Sequence, residues 1–114
     1  MNVELIDNEV SVSGTSLVGY IKTTYDEIVE VFGEPRYTNS GEDKVTAEWN
    51  LEFDVDDENV VATIYDWKLG KTPFGEYDWH IGGYSTQAAH VVAEYMKRSK
   101  WVSGGYKKLW SAKG

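Results

Sequence analysis

Between Val45 and Phe53 the chain alternates without a break: Val45, Ala47, Trp49, Leu51 and Phe53 are apolar, and Thr46, Glu48, Asn50 and Glu52 separate them. A period of two sends successive side chains to opposite faces of an extended strand, so this segment buries one face and wets the other. After Asp54 to Asn59, a polar run expected to turn the chain, β-branched and aromatic residues resume from Val60 to Trp67. There Val61, Thr63, Tyr65 and Trp67 fall on one side and Val60, Ala62 and Ile64 on the other, which predicts a β-hairpin. Lys68 to Glu76, with Gly70, Pro73 and Gly75, is a longer connection into a third short strand, Tyr77 to Ile81. Together the three make an antiparallel meander.

Two helices are predicted beside it. Thr24 and Glu27 have the spacing of a capping box, in which the Thr24 hydroxyl accepts from the Glu27 amide and the Glu27 side chain returns to the Thr24 amide. Asp26 and Glu27 suit the positive helix end, Ile28, Val31 and Phe32 share a face, and Gly33 with Pro35 stops the helix, giving about Tyr25 to Phe32. Gly82 and Gly83 break the third strand, and Ser85 or Thr86 caps a second helix. Its stripe is Ala88, Val92 and Tyr95, flanked by Ala89 and Met96, with Lys97, Arg98 and Lys100 at the negative end. Residues 1–19 alternate weakly, as a short edge strand or a loosely held arm. Residues 100–114 mix Trp101, Tyr106, Leu109 and Trp110 with Lys107 and Lys108, as a last docked strand or a basic aromatic tail. The expected fold is α+β: a two-layer sandwich in a single domain, 1–114, with a three- to four-stranded antiparallel meander and two helices on one face, in the order α-β-β-β-α.

Charge is distributed unevenly along this scaffold. Residues 1–66 hold 16 acidic and 3 basic side chains, a net of −13, while 67–114 hold 3 acidic and 8 basic, a net of +5. The densest block, Glu42 to Glu58, has 8 carboxylates against Lys44. Such a field repels nucleic acid and steers in basic protein surfaces; its plainer use is a solvated, solubilising face. The partner-binding candidates are therefore Glu42, Asp43, Asp54, Asp56, Asp57 and Glu58. Direct nucleic-acid binding is not expected. With no cysteine, disulfides, thiolate metal sites and thiol nucleophiles are excluded, and a reducing compartment fits. No basic-then-apolar leader opens the sequence and no stretch approaches the ~20 apolar residues of a membrane span. A cytoplasmic protein without membrane contact is the expectation.

The triplet Tyr-Asp-Trp occurs twice, at Tyr65 to Trp67 and Tyr77 to Trp79. Both tryptophans are expected either in the core and half-buried sheet or, with Tyr65, Tyr77 and Tyr84, on an aromatic recognition surface. The loop between the triplets breaks parity, so a shared face is not assured. In WHIGGYST a strand passes through Gly82 and Gly83 into a capped helix, a local recipe for an anion site. Ligand-binding candidates there are Trp67 or Trp79 for stacking, Lys68, Lys71 and His80 for phosphate, and Gly82 and Gly83 for backbone contact. Two adjacent glycines lack the spacing of a dinucleotide or P-loop fingerprint, and a tight turn needs glycine anyway.

Catalysis and metal binding have little to stand on. His80 and His90 are the only histidines. Asp78, His80 and Ser85 include triad residue types, but Ser85 is used in capping. The turn DVDDEN lacks the sixth-place glycine and the twelfth-place glutamate of a calcium loop. No catalytic residue, metal or cofactor is expected.

The segments TYDEIVEVFGEP, KVTAEWNLEF, VATIYDWK, KTP and WHIGG resemble a family of small proteins encoded by tailed phages and related mobile elements, over roughly Gly19 to Tyr95. The resemblance implies expression in an infected bacterial cytosol and carries no catalytic residues. It also implies an anti-defence role, in which small acidic phage proteins block host proteins such as CRISPR effectors, sometimes by imitating the charge of DNA. The leading expectation is thus a non-enzymatic inhibitor docking an acidic sheet edge or loop onto a basic, nucleic-acid-binding host protein. The alternative is a sponge-like module that captures a nucleotide signal at the Gly82-Gly83 turn. A virion or regulatory component is a third reading, and a homodimer is compatible with each.

Overall fold

The structure, a computed structural model, describes residues 2–37, 45–69, 71–99 and 110–112. Its elements are β1 (Val3–Asp7), β2 (Ser16–Thr23), α1 (Tyr25–Phe32), β3 (Arg36–Tyr37), β4 (Ala47–Val55), β5 (Glu58–Tyr65), β6 (Tyr77–Gly83), α2 (Gln87–Ser99) and β7 (Trp110–Ala112). The fold is α+β, an antiparallel sheet with two helices. Across the sheet the order is β1-β4-β5-β6-β2-β7, with β3 also against β4. Among the described residues no helix is long and apolar enough to cross a membrane.

The meander β4-β5-β6 is the centre of this sheet, and the order α-β-β-β-α needs correction at both ends. β1 is an edge strand, pairing Val3 with Val55 and Leu5 with Phe53. β2 carries the chain to the far side and pairs with β6, Ile21 opposite Trp79 and Thr23 opposite Tyr77. The first 19 residues are thus built into the sheet at two separate places. At the other terminus β7 pairs with β2, Tyr20 opposite Ser111, so Trp110–Ala112 is docked.

The β4-β5 hairpin is tighter than its composition suggests. Val55 is opposite Glu58, leaving Asp56 and Asp57 as the whole turn, instead of the six residues Asp54 to Asn59. Both have positive φ, 50° and 72°, as the two-residue turn that matches strand twist requires. Aspartate reaches this region at some conformational cost, which local bonds offset. The Asp57 amide donates to Asp54 Oδ1 at 2.9 Å, and the Asn2 amide donates to Asp56 Oδ1 at 3.0 Å. The strands run further because buried Val55 still has a core to enter.

Alternation along β4 and β5 sorts their side chains cleanly. Trp49, Leu51, Phe53 and Val55 join Val60, Ala62 and Ile64 in a cluster with Trp79, Ile81 and the buried faces of both helices. α1 has the predicted bounds, and its Thr24 hydroxyl accepts from the Glu27 amide at 3.2 Å. The reciprocal bond differs: Glu27 Oε2 accepts from the Thr23 hydroxyl at 2.7 Å, which ties the helix to the end of β2. Trp49 Nε1 donates to the Gly33 carbonyl at 2.8 Å and fixes the other end over the sheet. Phe32 stacks on Tyr95 of α2, ring centroids 5.4 Å apart. α2 lies close to β6 because a Cβ on Gly83 would meet the Ala88 Cβ at 2.4 Å; only glycine permits that approach. With the helices on the Trp49 face, the opposite face of the sheet carries Glu48, Asn50, Glu52, Thr63, Tyr65, Asp78 and His80.

Candidate functional site

The helix-free face divides into an acidic side and an aromatic side. On the acidic side Glu4 of β1 is opposite Asp54 of β4, and Glu52 follows two residues along. The turn adds exposed Asp56, Asp57 and Glu58. Among the described residues the ion pairs join Glu94 to Lys97 and Arg98 on α2, and none reaches these carboxylates. Asp54 and Asp56 are oriented by the turn bonds already described, and Glu52 accepts from Asn59 Nδ2 at 3.1 Å. Glu42 and Asp43, the remaining acidic candidates, lie outside the described residues. The DVDDEN turn binds its own backbone, and among the described residues no group of three or more metal-ligating side chains converges.

On the aromatic side, register brings Tyr20, His80 and Tyr65 into one row across β2, β6 and β5. The His80 ring lies 5.0 Å from Tyr20, edge on, and 5.4 Å from Tyr65. Tyr77 Oη is 3.4 Å from His80 Nδ1 and accepts from the Trp67 amide at 3.2 Å. Burial holds the His80 imidazole below its ordinary range, partly opposed by the nearby Asp66 and Asp78 carboxylates. Burial likewise raises the Tyr65 phenol, helped by Tyr20 and Tyr77, and raises that of Tyr77, which the Trp67 amide partly offsets. Both directions favour the uncharged forms of His80 and Tyr65 at neutral pH. Trp67 borders it, 41% exposed and 6.3 Å from Tyr65, with Lys68 Nζ 5.9 Å from the centre of its indole ring.

Several ligand-site expectations are corrected by this geometry. Trp79 is 0% exposed, packed edge to face on Trp49 at 5.5 Å, and cannot stack on a ligand. Gly82 sits in register between Thr63 and Leu17, and Gly83 between Ala62 and Ser16, so both are inside the ladder. The amides that follow are used locally: Gln87 donates to Ser85 Oγ, Ala88 to the Ser85 carbonyl and Ala89 to the Thr86 carbonyl. These three amides of the first helical turn are thus directed at Ser85 and Thr86 instead of at an anion. Lys68 turns to Trp67, Lys71 is exposed, and His80 faces tyrosines instead of a phosphate pocket. Tyr84 stands apart at the other end of β6, donating to the Ser13 carbonyl at 2.7 Å. Asp78 and His80 share a face of β6, and Ser85 lies beyond it at the start of α2, its Oγ accepting from the Gln87 amide.

Tyr20 lies just past the short edge strand or arm expected over residues 1–19, whereas β2 continues through it to Thr23. Its signal was present in LVGYIKT, a β-rich run between Gly14 and the Thr24 cap. The other omission is Asp66, at 0% exposure. Its carboxylate accepts from the Thr46 amide at 2.7 Å, the Thr46 hydroxyl at 2.5 Å and the Ala47 amide at 3.1 Å. That side chain takes the place of a ladder partner, which ends β5 at Tyr65 and puts Trp67 outside the strand. Comparison with known proteins found no matching family model, no matching curated protein and no matching solved structure.

Proposed function

We propose that this protein is a non-enzymatic binding protein that docks its acidic hairpin and the adjoining sheet face onto a basic, nucleic-acid-binding surface of a host defence protein. The resemblance to phage-encoded proteins suggests the bacterial cytosol as the setting and inhibition as the outcome. One observation carries the reading: Asp56, Asp57 and Glu58 are exposed at a two-residue turn with no cation of the described chain beside them. Charges held on a rigid turn lose little freedom on binding and act at long range, so they accelerate encounter with a cationic surface. The aromatic row lies on the same face and supplies the ring surface that charge alone lacks.

The test is capture of partners from a bacterial lysate with the full chain, followed by stopped-flow association at two salt concentrations. Replacing Asp56 and Asp57 together by lysine should slow association about tenfold or more at low salt, with a much smaller effect at high salt. An unchanged rate constant for the captured partner rules out charge-driven docking.

A further inference from the structure

We propose that the Tyr20-His80-Tyr65 row is a receptor for an arginine side chain presented by the basic partner, an inference that rests on the partner's being cationic. Three observations lead to it. First, the rings occupy adjacent strands at matched register on the face without helices, and each is only half-buried. An aromatic surface of this kind has π faces to offer and no helix above it to take them. Second, the Tyr65 ring lies across Gly82: a Cβ there would stand 3.5 Å from Tyr65 Cε1 and 2.7 Å from Thr63 Cγ2. The 2.7 Å approach of the Thr63 methyl is what requires glycine, whereas 3.5 Å is an ordinary contact and shows only that the Tyr65 ring lies close over the Gly82 backbone, a placement that suits stacking of a planar group on its outer side.

Third, the charges around the row select the sign of the ligand. On this face of the strands Glu4, Glu48, Glu52, Asp54 and Asp78 outnumber Lys22 and Arg36. Glu48 is opposite Tyr65 on one side and Arg36 on the other, Asp78 precedes His80 by two residues and is opposite Lys22, and Glu4, Glu52 and Asp54 further along the face make the acidic excess. A nucleobase would bring its phosphate onto a sheet face of net negative charge, at an electrostatic cost. A guanidinium stacks on the rings and gives its in-plane N–H groups to the phenol oxygens and flanking carboxylates. The protein already contains one cation–ring contact at the border, where Lys68 Nζ lies 5.9 Å from the Trp67 ring centre. Burial favours the neutral His80 imidazole and the neutral Tyr65 phenol, so neither repels a cation.

The test uses the full chain and three fluorescein-labelled probes: a nine-residue arginine peptide, a nine-residue lysine peptide of equal charge, and oligothymidine. Fluorescence polarisation should show the arginine peptide binding about five- to tenfold more tightly than the lysine peptide, the range of one desolvated cation–π contact. Replacing Tyr20 and Tyr65 together by leucine should bring the two peptides to equal affinity. Replacing Asp56 and Asp57 by lysine should weaken both peptides by the same factor and preserve their ratio. On the unaltered protein, the arginine peptide should shift the NMR amide signals of Tyr20, Tyr65 and His80, and the lysine peptide should leave them in place; this readout needs no variant to fold. Equal affinities in the unaltered protein overturn the arginine receptor but leave the acidic docking reading standing, provided the lysine substitutions still weaken both peptides. An arginine preference that survives when those substitutions have no effect keeps the receptor and removes the charge-driven reading. Tight binding of oligothymidine that the leucine substitutions abolish assigns the row to nucleic acid and also overturns the proposal.

Discussion

Tyr65-Asp66-Trp67 and Tyr77-Asp78-Trp79 are the same three residues with opposite fates. In the first triplet the aspartate is 0% exposed and the tryptophan 41% exposed; in the second the aspartate is exposed and the tryptophan 0% exposed. The tyrosines alone agree, both half-buried near His80. The second triplet lies wholly within β6, where a period of two puts Trp79 inside and Asp78 outside. The first straddles the end of β5, and there the Asp66 carboxylate captures the amides that would have continued the ladder. Identical words thus take their meaning from whether a strand continues or ends under them.

The comparison can be broken most decisively at the tryptophans. Trp79→Ala should cost ~3–5 kcal/mol, since it empties a fully enclosed site beside Trp49 and Tyr77. Trp67→Ala should cost under about 1 kcal/mol, the scale of an exposed ring with a cation nearby. Urea unfolding of the two variants measures both, and equal losses would erase the contrast. The aspartates should differ next and in the opposite order. Asp66→Ala strands the Thr46 and Ala47 amides and should cost about 3 kcal/mol, while Asp78→Ala should stay within about 0.5 kcal/mol.

The smallest effect concerns the tyrosines, which should behave alike. Each has a phenol raised above the ordinary 10.0, so the folded state holds its proton where the unfolded chain has released it. The associated stability is complete below pH 10 and disappears as pH rises through the folded values. Tyr65→Phe and Tyr77→Phe should each flatten the alkaline decline of thermal stability. His80, lowered from 6.5, behaves in the opposite sense: its contribution is present above pH 6.5 and is lost as pH falls toward the folded value. His80→Gln should flatten the acid side of the same profile.

Much of the scaffold is legible in the residues alone. The alternation of Val45 to Phe53 marked the inward residues of β4, the Thr24 cap and Gly33 stop bounded α1, and Tyr77 to Ile81 located β6. Local signals sufficed because each reports a period or a terminus within a few residues. β2 has a local β-rich run in LVGYIKT, but its place in the sheet is set by β6 and β7, 50 or more residues away, and no nearby residue announces that order. The acidic turn is legible as charge but not as geometry: five polar residues around Val55 look like a loop, and strand pairing reduces it to Asp56 and Asp57. The aromatic row depended wholly on registers between distant strands.

By itself the sequence determined the apolar face of β4, where helices start and stop, and how charge divides along the chain, because hydrophobic periodicity, capping and ionisation are local properties. Tertiary structure decided which aspartate was buried, which tryptophan stayed outside, and which rings met on the helix-free face. Those outcomes depend on which strands lie side by side and at what offset, and an offset of a single residue exchanges the inner and outer faces of a strand.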